Sequence, residues 1–302
     1  LNLKKKIKFI KGDIKDKKKL DNVFKKYRPS IIFHLAAQPI VSESYKKPFE
    51  TFLVNVIGSL NILDLCKKHQ FVRSLIYVTS DKCYENVETI YGYRENDKLG
   101  GSDPYSASKS AAENIFSAYL KSFFLKKFGS ASVRAGNVIG GGDWSKDRLI
   151  PDFIRSLNKN KKMIIRNPSS VRPWQHVLDP ILGYIELAEK LYLHKEKFSG
   201  SWNFGPNFDA NVPTLEVVRR MNKNIPKKVK IAIDKKKSKN FESKLLRLNC
   251  DKAINYLSWR PSLNTLESID YTIQWYKKYL EKKNIEKFTD IQIAKIINKH
   301  YK

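Results

Sequence analysis

Leu75-Ile76-Tyr77-Val78-Thr79, followed at once by Ser80-Asp81-Lys82, is the stretch that decides the fold. A short apolar run closed by a cluster of polar residues predicts a buried strand of a parallel sheet, with its chemistry at the carboxyl end. Working outward, a second such run at residues 30–37 reads as another fully buried strand. Between the two, Phe49, Phe52, Leu53, Val56, Leu60, Leu63 and Leu65 recur at spacings that wind an apolar stripe around a long helix over 49–68. Further upstream, residues 17–27 predict a helix stopped before Pro29, and residues 7–10 a strand ending at Gly12-Asp13. Downstream, Ser102-Asp103-Pro104 supplies a capping residue and a proline at the first helical position, opening a helix expected to reach about residue 128. A strand at 131–134 follows. Strand and helix alternate throughout, which predicts an α/β fold with a parallel sheet.

The second half is looser. A glycine turn at Gly140-Gly141-Gly142 precedes expected helices at 150–158 and 177–193 and a short strand at 163–166. A lysine-rich loop at 235–239 should be exposed, and amphipathic stretches at 266–280 and 291–297 should form a smaller cap on the first domain.

Composition narrows the function classes. A chain of 302 residues with 41% hydrophobic content can bury a real core. Its uninterrupted apolar runs are far shorter than the roughly 20 residues of a bilayer-spanning helix, so no membrane span is expected. No signal-like segment opens the chain, and Cys66, Cys83 and Cys250 are odd in number and far apart, which fits a reducing cytoplasm. Neither an HExxH pattern nor a paired His and carboxylate cluster is present, so no metal site is expected. The formal charge of +28 would attract polyanions, and nucleic acid is the rival partner. Yet the lysines are scattered along the chain, as a solvated surface would have them, and a small anionic substrate is also compatible.

Ligands of open parallel sheets sit at the carboxyl ends of strands. Three ends stand out: Gly12-Asp13-Ile14, Ala36-Ala37-Gln38-Pro39 and Thr79-Ser80-Asp81-Lys82. Asp13 would hydrogen-bond an adenine amino group, and the small Ala36 and Ala37 would let a flat ring approach the backbone; each is otherwise a plain turn. Tyr105 and Lys109 lie four residues apart on the capped helix, where an ammonium beside a phenol favours the phenolate, a general base.

Ser80, Tyr105 and Lys109 in this order, with His34-Leu35-Ala36-Ala37 upstream, resemble the extended short-chain dehydrogenase/reductase family of nucleotide-sugar enzymes. The likeness is carried further by Gly92-Tyr93-Arg94-Glu95, by residues 134–144 and by residues 172–177, and runs from about Gly12 to the C-terminus. It implies a Rossmann-type doubly wound sheet over 1–137, with a smaller α/β substrate domain over 138–302 whose segments return to the first. It also implies a homodimer built from the helices at 49–68 and after Pro104. The implied reaction is dehydration of CDP-glucose to its 4-keto-6-deoxy product by an internal NAD hydride shuttle, in deoxysugar and O-antigen synthesis.

In that reaction Tyr105, assisted by Lys109, would take the C4 hydroxyl proton, and Ser80 would bond the C4 carbonyl. Lys82 would remove the C5 proton and neutral Asp81 would protonate the departing C6 hydroxyl. Related dTDP-glucose and GDP-mannose dehydratases place a glutamate at the Lys82 position, so lysine there points to the CDP-glucose branch. Asp13, Ile14, Leu35, Ala36, Ala37, Tyr105 and Lys109 would hold NAD. Asn137, Arg148 and Arg172 would contact the substrate diphosphate or serve as structural hydrogen-bonders, while Trp144 and Trp174 are read as core. One departure stands out: these residues contain no glycine-rich G-x-x-G-x-x-G turn to hold a pyrophosphate. By the resemblance the chain begins near the third strand, with roughly 50 residues of the fold and the central strand preceding it. Two rivals follow, a catalytically defunct nucleotide-sugar binder of the same fold and a basic nucleic-acid-binding protein.

Overall fold

The computed structural model describes residues 3–207, 212–234 and 245–302; the lysine-rich loop expected at 235–239 lies outside them. The first half runs α1 (Lys17–Tyr27), β1 (Ile31–His34), α2 (Val41–Lys46), α3 (Pro48–Phe52), α4 (Ser59–Lys68), β2 (Ser74–Val78), α5 (Pro104–Tyr119) and β3 (Gly129–Ala135). The second runs β4 (Val138–Ile139), α6 (Leu149–Asn158), β5 (Met163–Ile165), β6 (Val171–Arg172), β7 (Gln175–His176), α7 (Leu178–His194) and β8 (Gly200–Phe204). It ends with β9 (Val212–Pro213), α8 (Thr214–Asn224), β10 (Ile231–Ile233), α9 (Asp251–Leu257), α10 (Thr265–Leu280) and α11 (Ile285–His300).

Four strands form the main sheet in the order β1-β2-β3-β8, every pair parallel. The two-residue period of β2 shows how the layers arise. Leu75 and Tyr77 point into one core with Leu63 and Leu65 of α4 and Phe116 of α5. Ile76 points the other way, joining Ala131 and Val133 of β3, Leu187 and Leu191 of α7 and Trp202 of β8. Helices therefore cover both faces, as a parallel sheet requires. A separate core, with Phe153 of α6, Val217 and Met221 of α8, and Ile273 and Tyr276 of α10, fills the second half. β8 was not legible as a strand in advance, and it carries the second half of the chain back into the main sheet.

Several expectations are corrected. Residues 7–10 form no strand; Ile7 is 58% and Phe9 61% exposed, because no neighbouring strand among the described residues offers them a ladder. The run at 30–37 shrinks to β1, which is half exposed rather than fully buried. As the edge of the sheet among the described residues, it shows Ile31 and Phe33 to solvent, and Leu35 just beyond it is exposed as well. The helix from Pro104 ends in a π-helical turn over Leu120–Phe124 instead of reaching residue 128. A similar turn, Leu53–Gly58, joins α3 to α4, so Pro48–Lys68 is one 21-residue helix of mean hydropathy 1.4 over its most apolar window. That is long and apolar enough for a bilayer by length and composition, yet Ile62, Leu63, Leu65 and Cys66 pack into the sheet.

Candidate active site

Ser80 leaves β2 in extended conformation and caps a single 3₁₀ turn, Asp81–Cys83, its Oγ accepting from the Lys82 amide at 3.2 Å. Opposite, Asp103 caps α5 by accepting from the Tyr105 and Ser106 amides at 2.9 and 3.0 Å, which fixes Tyr105 in the first turn. Lys109 follows one turn later on the same face. The turn and the helix pack together: Ser80 interacts with the Tyr105 phenol and the Asp81 charge reaches it. Ser80, Asp81, Tyr105 and Lys109 are all buried at the carboxyl end of the sheet. Lys82 is half-buried and lines, with Tyr84, Gly101, Ser102 and Ser106, a cavity of about 320 Å³ beside them.

Burial sets the protonation states. It raises the Asp81 carboxyl above its ordinary value, against the pull of Lys82, a Ser80 hydrogen bond of 3.0 Å and Arg172. Part of this seat is backbone: a Cβ on Gly136 would overlap the Asp81 carboxylate, so only glycine leaves room for it. Burial also lowers the Lys109 amine to about 8, with Glu113 opposing. The expected phenolate is not the resting state. Desolvation pushes Tyr105 up to about 12; Ser80 and Arg148 pull it back, and Lys109 does not offset the loss of solvent.

The predicted substrate residues come near. The Arg148 charge is felt at Tyr105 and that of Arg172 at Asp81, while Arg148 also pairs with Asp143 at 3.1 Å. Asn137 sits in the left-handed region at φ 50° where its carbonyl accepts from the Gln175 amide at 3.3 Å. Trp174 is core, as expected, but Trp144 is 44% exposed, with only one side against Trp275, Tyr276 and Tyr279.

The residues expected to hold a cofactor gather at the β1 end. Leu35 and Ala36 are exposed and Ala37 partly so, in a loop tied to α5 by buried Asn55. The Asn55 side chain accepts from the Gln38 amide at 2.8 Å and donates to the Ser108 hydroxyl at 2.9 Å. Lys109 reaches this end too, since its charge, after burial, helps lower His34 to about 4. Asp13 is exposed and accepts from the Lys15 amide, and Ile14 rests on Gly58.

Behind these side chains lie Thr79, already singled out at its strand end, and three groups to which sequence reasoning gave no role: Tyr84, Glu113 and Arg134. Two signals could have found them. Glu113 lies eight residues after Tyr105, again on its face of the helix, and Arg134 is a lone charge in a strand otherwise of small and apolar residues, which demands a buried partner.

Residues 1–272 match the family described as GDP-mannose 4,6 dehydratase. The CDP-glucose 4,6-dehydratase of Salmonella typhimurium is 44% identical over 281 residues, covering 89% of this chain and 76% of that protein. The human dTDP-D-glucose 4,6-dehydratase is 28% identical over 285 residues, covering 93% and 78%. Among solved structures, Streptomyces venezuelae DesIV, a dTDP-glucose 4,6-dehydratase with NAD bound, superposes with a TM-score of 0.76 at 20% identity, covering 91% of this chain and 81% of that one. A carboxyl, a phenol and two amines gathered at one end of a parallel sheet are thus found in a chain that belongs to the GDP-mannose 4,6 dehydratase family.

Proposed function

We propose that this protein dehydrates CDP-glucose to CDP-4-keto-6-deoxyglucose. The observation that carries the reading is the meeting of buried Ser80, Asp81, Tyr105 and Lys109 beside the Lys82 cavity, with burial holding Asp81 toward its neutral, proton-donating form. The 44% identity to a CDP-glucose enzyme and the lysine at position 82 support cytidine over the other nucleotides.

The site fits NAD on one test. Lys109 is a buried residue that forms no hydrogen bond with another described residue, yet its nitrogen is not among the sealed polar atoms of the core, so a ribose hydroxyl could reach it. Ala36, Ala37, Tyr105 and Lys109 would line the cofactor, with Leu35, Asp13 and Ile14 further along the same end. NAD, when bound, would take a hydride from sugar C4 and return it to C6.

The chain's own groups move the protons. Tyr105 Oη, in its phenolate form, takes the proton of the C4 hydroxyl, with the Lys109 ammonium one turn away on the same face as the opposite charge that favours that form. Ser80 Oγ donates to the C4 carbonyl so formed. That carbonyl acidifies C5, so Lys82 Nζ, as the neutral amine, removes the C5 proton and gives one back to C5 as C6 is reduced. Asp81 delivers its proton to the C6 hydroxyl as water leaves. Arg148 and Arg172 offer forked donors to the diphosphate.

A homodimer follows from the same reading, supported by exposed Phe49, Phe52 and Ile57 on the long helix and Phe123 beyond α5. Three buried, unpaired cysteines support a reducing cytoplasm. A second reading, a binder without turnover, is favoured by the Tyr105 phenol, which burial pushes up to about 12 and so keeps protonated at rest. The test is the chain with CDP-glucose and NAD, followed for keto-sugar formation and solvent deuterium at C5. Product that vanishes in Lys82→Met and Tyr105→Phe supports the proposal; binding of CDP-glucose without product supports the second reading, and unchanged turnover in those variants refutes the assignment.

A further inference from the structure

Behind the site lies a buried ion pair that the reaction does not use. Glu113 and Arg134 meet at 2.6 Å with side chains 1% and 2% exposed. The pair sits between both halves of the site. Thr79 donates its hydroxyl to Glu113 Oε1, and Ser132 donates to Oε2 at 2.9 Å. Arg134 Nη1 donates to the Tyr84 hydroxyl at 2.6 Å, and that hydroxyl donates to Asn203 Oδ1 at 2.8 Å. Thr79 and Tyr84 flank the turn that holds Ser80, Asp81 and Lys82. Glu113 lies one turn beyond Lys109 and two beyond Tyr105 on α5. One ion pair therefore grips both ends of the turn and the helix facing it.

Stability alone is a poor reason for such a pair. Desolvating two charges costs about as much as their attraction returns, and apolar residues of similar volume commonly serve the fold as well. Arg134 Nε, moreover, has no hydrogen-bond partner among the described residues. What the pair supplies is direction: two charged, forked groups fix where two hydroxyls must lie.

We propose that the Glu113–Arg134 pair is a positioning clamp, which through Thr79 and Tyr84 sets the Ser80–Lys82 turn in register with Tyr105 and Lys109. It touches no reacting atom. The proposal rests on the dehydratase reading for its purpose, though not for its geometry.

Two measurements on Thr79→Val, Thr79→Ser and Tyr84→Phe test it. The first is hydrogen exchange of the free chain, watching the amides of Lys82, Cys83 and Tyr84, which bond within the turn. Thr79→Val and Tyr84→Phe should speed exchange there at least fivefold while β3 and α5 stay protected, and Thr79→Ser should restore wild-type protection. The second is turnover of CDP-glucose with NAD, where kcat should fall about tenfold or more with KM within twofold, again rescued by serine. A turn as protected as in wild type, protection lost equally in β3 and α5, or an unchanged kcat overturns the clamp. Should the wild-type chain give no turnover, the dehydratase reading falls while the exchange result still decides the clamp.

Discussion

Replacing Gly136 by alanine isolates the role of Asp81. Gly136 ends the strand run after β3 with an ordinary backbone conformation, so alanine brings no torsional strain, only a methyl group. That methyl would fall on the Asp81 carboxylate, overlapping both oxygens and the carbon between them. Restoring van der Waals separation requires the carboxyl to retreat by roughly 1–2 Å. It cannot slide freely, because Ser80 holds Oδ1 and the next residues are fixed in the 3₁₀ turn. A proton donor displaced by about 1 Å costs on the order of 100-fold in rate. Gly136→Ala should therefore lower kcat for dehydration about 100-fold with little change in KM, and thermal unfolding should show a fold still cooperative. The assay that settles the cause is a double-mutant cycle. In an Asp81→Ala background the methyl finds room, so adding Gly136→Ala should cost nothing more. Independent, multiplying losses, or a Gly136→Ala enzyme within threefold of wild type, would refute the reasoning.

Lys109→Met should abolish turnover yet raise stability at pH 7 by up to about 3 kcal/mol, because burial lowers the amine from 10.5 to about 8. Both folded and unfolded amines are charged below pH 8, so the folded state bears the whole cost there; it deprotonates first as pH rises, and the variant's gain should fade by pH 10.5 in urea titrations. The dehydration rate should decline as pH rises through the Asp81 carboxyl's raised value, above the ordinary 3.8, since only the protonated form donates; a rate climbing through that range would contradict it.

How much of this was legible in advance depends on where each signal resides. β2 and α5 announced themselves because period, cap and proline agree within a few residues, so Ser80, Asp81, Tyr105 and Lys109 could be placed on facing elements before any coordinates. The strand at 7–10 failed for the complementary reason: its apolar run is as good as that of β1, but a strand exists only with a partner, and pairing is not written in one segment. Trp144 misled in the same way, since an indole earns burial from neighbours, and here Trp275, Tyr276 and Tyr279 cover only one side of it. The protonation state of Tyr105 was beyond the sequence because spacing shows that an ammonium is near, not how much solvent has been removed from the phenol.

One physical cause unites the site. Burial disfavours charge of either sign, so it lifts the Asp81 carboxyl and the Tyr105 phenol and lowers the Lys109 amine, drawing an acid and a base toward the middle of the pH range together. A reaction that needs a carboxylic acid to give a proton is served by this dry wall, provided that wall stays in place. Glu113 and Arg134 are the exception that keeps it there. Burial opposes the Glu113 charge, yet Arg134 and the Thr79 and Ser132 hydroxyls hold the carboxyl below its ordinary value, so this pair keeps its charge while burial shifts its neighbours toward their neutral forms. Charge in this core is kept where it fixes geometry, and is suppressed where a proton has to move.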